Sequence, residues 1–258
     1  MNVKSQKNNS VCFSERMVQY LILLMVGMAV LLFGSVTDVR RRTVSSYLFI
    51  PLYVAGIVFL ALYIHPPYWF YIAGILMFIA TFMKTDLLVY PLVGVVFLIF
   101  SIFMVFRVFI FGFDLLVMSA IFLMGFQERF FGIGDIKALL ALSFSFISIP
   151  MITPFTQAQE IISGFVPFSM ALLINVAVFS IIFVPYIVYL SMKTGKSSGS
   201  SSLFVLRYDE EIYHKNSKKF SVHEYRGKKY MQYRAPFMIS ITGGFIVTVL
   251  FGFWIMVI

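Results

Sequence analysis

A single cysteine, Cys12, stands in 258 residues. That excludes an intramolecular disulfide, a CxxC redox pair and a cysteine-rich zinc site. Charge is scarce too: Asp, Glu, Lys and Arg make up 12% of the chain, where soluble domains run nearer a quarter. The three histidines, His65, His214 and His223, fall in no HExxH or comparable zinc-ligand spacing. No GxSxG elbow occurs, and Cys12 has no neighbouring histidine. Neither metal nor cofactor is expected, and serine or cysteine nucleophiles have no constellation to serve them.

What is abundant is apolar. Hydrophobic residues are 60% of the chain, with 31 phenylalanines among them. An apolar run of about 20 residues spans a bilayer as a helix, because lipid offers the backbone no hydrogen-bond partners. The runs are too many and too continuous for the alternating strands of a barrel. The expected fold is an all-α polytopic membrane protein of six to eight transmembrane helices, with a small cytoplasmic lobe containing β-strands. The spans read as 18–37, 46–64, 68–83, 87–106, 108–127, 135–150, 161–191 and 236–258. The third is short and bounded by "HPP", so seven spans or a re-entrant piece stay open. Only Arg107 separates the fourth from the fifth. No small-x-small cleavage site follows the first run, which reads as a retained helix.

Three regions follow: a transmembrane catalytic core (1–191), a cytoplasmic polar lobe (192–235) and a C-terminal transmembrane helix (236–258). The lobe opens with "KTGKSSGSSS", a flexible linker composition. Further on, "VHEYRGKKYMQY" alternates aromatic and polar residues around Arg226-Gly227, the signature of a hairpin. Ten basic residues against Asp209, Glu210, Glu211 and Glu224 leave the lobe at +6. With Arg40, Arg41 and Arg42 in the cytoplasm, sixteen basic residues collect on that side and four outside (Lys4, Lys7, Arg16, Arg107). That asymmetry sets the orientation. It also assigns the net charge of +9 to topology and anionic membrane lipids, not to nucleic acid. Tyr68, Trp69 and Tyr71 read as an interfacial belt.

Ionisable groups in or beside spans are costly and are candidates for function. Four carboxylates qualify: Asp38, Asp86, Asp114 and Asp135. Asp86, beside Lys84 in a short turn, reads as a cap or surface pair. Asp114, in "FGFDLLV", fits a structural hydrogen bond better than catalysis. Asp38 follows the first span in "TDVRRRTVSSYLF", and Asp135 opens a later one in "GIGDIKALLAL". Four spans between them, an even number, put both on the cytoplasmic face. Each alone has a bland alternative: Asp135 a helix-capping acid, Asp38 a partner of Arg41 or Arg42. Together they can share a proton. The ionised member then takes a proton from an attacking water while the other polarises a carbonyl and donates to the leaving amine. Gly132 and Gly134 are expected to supply positive φ and close backbone approach beside Asp135.

"TDVRRRTVSSYLF" with "GIGDIKALLAL" resembles the two active-site motifs of the GxGD aspartic membrane proteases, and most of all the type IV prepilin and archaeal preflagellin peptidases. The resemblance covers about 25 residues closely and the rest only in architecture. It implies that Asp38 and Asp135 are the catalytic pair, that Gly132 and Gly134 complete the second motif, and that Lys137 occupies the basic position after it. It implies a segment re-entering the membrane after the first motif. The lone cysteine matches the archaeal branch, which cleaves without methylating. The implied substrates are archaellin or pilin-like precursors, with a short basic leader joined to an apolar helix and cut on the cytoplasmic side. The 97 residues between the aspartates exceed the family's usual spacing, and an extra helical hairpin accounts for it. Two rival classes remain. A transporter or channel would use Asp38, Asp114 and Asp135 to bind cations or protons, and a presenilin-like protease would hold its aspartates deeper.

Overall fold

The computed structural model describes residues 3–41, 43–84, 86–126, 132–147, 166–194, 205–208, 210, 213–214, 217, 220–225, 227–233 and 236–252. These residues are mostly helical. Helix α1 (Val3–Arg41) leads through an extended link to a 3₁₀ turn (Ser46–Phe49), which runs into α2 (Ile50–Phe59) and a π turn (Leu60–Ile64). Then come α3 (Tyr68–Ala80), α4 (Val89–Val105), α5 (Phe109–Met124), α6 (Ile133–Ser145) and α7 (Phe168–Thr194). Strands β1 (Val205–Arg207), β2 (Phe220–Tyr225) and β3 (Lys228–Tyr233) precede the last helix, α8 (Phe237–Phe251).

Prolines set several of these boundaries. Pro51 lies in the first turn of α2, and Pro67 and Pro236 stand immediately before α3 and α8. A proline lacks the N–H that a first turn leaves unused anyway. The π turn ends on His65, whose φ of 52° stops the helix ahead of Pro66 and Pro67.

Two expectations are corrected here. Helix α1 does not end before Asp38 but carries it in its last turn, closing on Arg40 and Arg41. Helix α6 starts two residues earlier than expected and stops at Ser145, because Phe146 is extended (φ −120°, ψ 94°). Of the expected spans, two stretches among the described residues, Tyr20–Arg41 and Ser46–Ile64, are long and apolar enough to cross a membrane. Helices α3, α4 and α5 have 13, 17 and 16 residues, below the ~20 of a full crossing. The break at Arg107 is real: α4 and α5 are separate helices packed on each other. Residues 127–131, 148–150, 161–165 and 253–258 of the expected spans lie outside the described residues.

Helix α6 is the centre of the bundle. Every residue from Ile136 to Ser145 is buried, and a helix buried on all sides needs neighbours all round. It has them in α2, α3, α5, α7 and α8. Phe144 is sandwiched between the rings of Tyr53 (4.4 Å, 9°) and Phe70 (5.6 Å, 7°). Gly56 lets α2 meet α6 closely, since a Cβ there would collide with Ser145, whose hydroxyl donates to the Leu52 carbonyl at 3.1 Å. The outer surface is the reverse of a soluble protein's. Leu21, Met25 and Phe33 of α1 stand exposed, as do Leu92, Val96 and Phe103 of α4. Ser119, Asn175 and Thr248 are fully buried.

The polar segment forms a three-stranded antiparallel sheet ordered β1-β3-β2. The expected hairpin is there: Tyr225 pairs with Lys228, and Gly227 turns the chain with φ 72°. Phe220 and Met231 make its small buried core, flanked by Tyr208 and Tyr213.

Candidate active site

Asp38 is 8% exposed at the C-terminal end of α1. An acid there faces the negative end of its own helix dipole, an unfavourable place. Another helix supplies the remedy. The Asp38 Oδ2 accepts the backbone N–H of Met238 at 3.2 Å, in the first turn of α8. First-turn N–H groups have no partner inside their own helix, so the carboxylate caps α8 from across the fold. Ser35, one turn earlier, fixes the same junction. Its hydroxyl donates to the Met238 carbonyl at 3.1 Å and lies 2.7 Å from the Thr242 hydroxyl.

Asp135 sits in the first turn of α6, half-buried, and its Oδ2 accepts the N–H of Gly132 at 3.2 Å. The capping role open to it is therefore real. It does not exclude a second one, because Asp135 and Asp38 lie close enough for the charge of one to act on the other. Each carboxylate occupies the positive end of a different helix, Asp38 that of α8 and Asp135 that of α6. Two helix N-termini thus offset the repulsion of bringing two acids together.

The glycines act differently from expectation. Neither Gly132 nor Gly134 has positive φ: Gly132 is extended (φ −66°, ψ 150°) and Gly134 lies within α6. Close approach survives in part. A Cβ on Gly132 would come within 3.3 Å of the Asp135 Oδ2, so the bare backbone there lets the carboxylate fold back. At Gly134 a Cβ would sit 3.8 Å from Val44, an ordinary contact that leaves room for a methyl.

Lys137 is 3% exposed. Its ammonium donates to Ser46 Oγ at 2.7 Å and lies 3.8 Å from the centre of the Phe82 ring. Two grooves open beside the site. One, of about 550 Å³, is lined by Ser46, Tyr47, Phe82, Lys84, Asp86, Ile133 and Lys137 among others. The other, of about 500 Å³, lies along the end of α1 and the extended link, between Phe33, Val36, Arg40 and Val44.

Asp114 is not brought to this place. It is fully buried on α5, where its carboxylate faces the hydroxyl and backbone N–H of Ser169 in loose hydrogen-bonding contact, neither oxygen closing a tight bond among the described residues. The N–H of Phe168 bonds the Ile147 carbonyl, so Ser169 marks the far end of α6. Ten residues of α6, roughly 15 Å of rise, separate Ser145 at that end from Asp135. The partner of the structural hydrogen bond expected for Asp114 is Ser169, held in loose geometry.

Sequence reasoning missed Met238, Ser46 and Phe82. Each acts through one backbone group, hydroxyl or ring, at long range in the chain, and no local pattern marks such a partner. Comparison of the chain with family models, with characterised proteins and with solved structures gives no match.

Proposed function

We propose that the protein is a membrane-embedded aspartic endopeptidase whose catalytic pair is Asp38 and Asp135. One observation carries this reading: the link that follows Asp38 packs against the start of α6, where a Cβ on Gly134 would lie 3.8 Å from Val44, so helix ends 97 residues apart in the chain bring Asp38 and Asp135 to one end of the bundle. The apolar outer face of α1 and α4, with polar groups buried inside, supports a bilayer setting. In it α1 and the 46–64 stretch cross fully and the shorter helices pack around α6.

The two acids share one proton and titrate as a unit. The ionised oxygen takes a proton from water as that water attacks the scissile carbonyl. The protonated one polarises the carbonyl and then donates to the departing amine. Water must reach such a pair: Asp135 is half-buried, and the residues flanking each acid, Ile133 and Lys137 beside Asp135 and Thr37 and Arg40 beside Asp38, line two open grooves. On the resemblance of its two motifs, the substrates are archaellin or pilin-like precursors, cut at the junction of a basic leader and an apolar helix on the cytoplasmic side of the cell membrane.

The test is incubation of the purified protein with a leader-bearing archaellin precursor, wild type beside Asp135→Asn. Shortening of the precursor by the leader, seen with wild type alone, is the expected result. Equal cleavage by both proteins ends the assignment.

A further inference from the structure

Lys137 is an unusual buried cation. Among the described residues no carboxylate lies within salt-bridge distance of it, whereas buried lysines are ordinarily paired with acids. Its partners are instead a hydroxyl and a ring. Ser46 stands at the start of the 3₁₀ turn, 91 residues earlier in the chain, and Phe82 in the loop 81–88 between α3 and α4. One side chain from α6 therefore joins three separate segments.

Those segments are the walls of the 550 Å³ groove, a volume suited to a ligand. Tyr47 and Phe82, with ring centres 6.1 Å apart, face it from two segments, and Ser46 and Lys137 add polar groups. Ile133 and Lys137, which line it, flank Asp135 two residues to either side. An ammonium carries three donors; Ser46 takes one and the Phe82 ring faces another, leaving one for a backbone carbonyl of a chain lying in the groove. The aromatic walls suit an apolar side chain beside that carbonyl.

We propose that Lys137 is a positioning residue: it clamps the 3₁₀ turn and the α3–α4 loop onto the start of α6, and so forms the groove that holds the substrate peptide on one side of the cut next to Asp135. The assignment of the groove to substrate rests on the protease reading above. Lys137 does not take part in proton transfer, so its loss weakens binding and leaves the chemical step.

The experiment compares wild type, Lys137→Met, Lys137→Arg and Ser46→Ala as purified full-length proteins on the precursor. Lys137→Met is expected to raise KM about tenfold while kcat changes less than about threefold. Lys137→Arg, which keeps the charge over the ring, falls between it and wild type. Ser46→Ala raises KM by less, and the Ser46→Ala/Lys137→Met double variant is no worse than Lys137→Met, because the two share one bond. A second arm needs no cleavage. In a Cys12→Ser background, a cysteine at Met83 on the groove wall should react with a maleimide several-fold faster once Lys137→Met or Ser46→Ala is added. A fall in kcat at unchanged KM overturns the positioning role, and unchanged labelling overturns the clamp. If wild type cuts no precursor, the protease reading and the groove's occupant fall together, while faster labelling still upholds the clamp.

Discussion

The carboxylate of Asp38 holds the backbone N–H of Met238 at 3.2 Å, across 200 residues of chain. The bond makes Asp38 a cap as well as a candidate catalyst, and different substitutions separate the two roles. Asp38→Asn keeps an oxygen that accepts the N–H but cannot ionise, so cleavage is lost while stability is nearly kept. Asp38→Ala loses both, and unfolds with about 1 kcal/mol less stability. Precursor cleavage beside thermal unfolding in detergent reads the split. Equal stability of the Asn and Ala variants shows that the cap contributes nothing.

Activity against pH should be bell-shaped. A shared-proton pair works with one proton between two carboxyl groups, so the rate falls at low pH, where both are protonated, and at high pH, where neither is. The same assays should be insensitive to EDTA, phenylmethylsulfonyl fluoride and Cys12→Ser. A rate that rises steadily with pH, or loss of activity in EDTA restored by zinc, contradicts the aspartic mechanism.

Gly134 separates a methyl from a branched side chain. Its backbone is helical and a Cβ there meets Val44 at 3.8 Å, so Gly134→Ala should fold at least as well as wild type and still cleave. Gly134→Val drives methyl groups against Val44 beside the catalytic acid, and should lower kcat/KM roughly tenfold, the scale set by overpacking costs. Matching kinetics for the two variants indicate that the contact with Val44 is incidental.

Removing the charge at Asp114 should do no harm. Its oxygens face Ser169 only loosely, and Asp114→Asn keeps the shape and an oxygen to accept from Ser169 while removing the cost of a buried acid. Unfolding temperature should hold or rise, with cleavage retained. A variant that folds normally but is inactive would link Asp114 to function and favour proton or cation transport.

Sidedness is open to a thiol experiment. In the Cys12→Ser protein, single cysteines at Ser45, on the extended link, and at Ser200, outside the described residues, should escape a membrane-impermeant reagent in intact cells. Ser200→Cys should react once the membrane is opened. Labelling of either in intact cells puts that segment outside, against the charge asymmetry of sixteen to four.

The many continuous apolar runs determined the mostly helical fold, because they lack the alternation that a barrel's strands require. Local pattern determined the β2–β3 hairpin, since a turn at Gly227 and alternating strands are written within a dozen residues. It also picked out Asp38 and Asp135 as residues to examine. Their mutual approach was expected from span parity and the resemblance, but the packing of α1, α6 and α8 that achieves it was not legible. The continuation of α1 through Asp38 depends on the same junction, where an acid at a helix C-terminus finds the first-turn N–H of Met238. At Gly132 and Gly134 local reasoning expected positive φ from residue type, but glycine permits that conformation without requiring it, and the start of α6 holds both at negative φ. Lys137 shows the limit most plainly. Its place in the chain marks it as a basic neighbour of Asp135, and only the packing of three distant segments turns it inward onto Ser46 and Phe82.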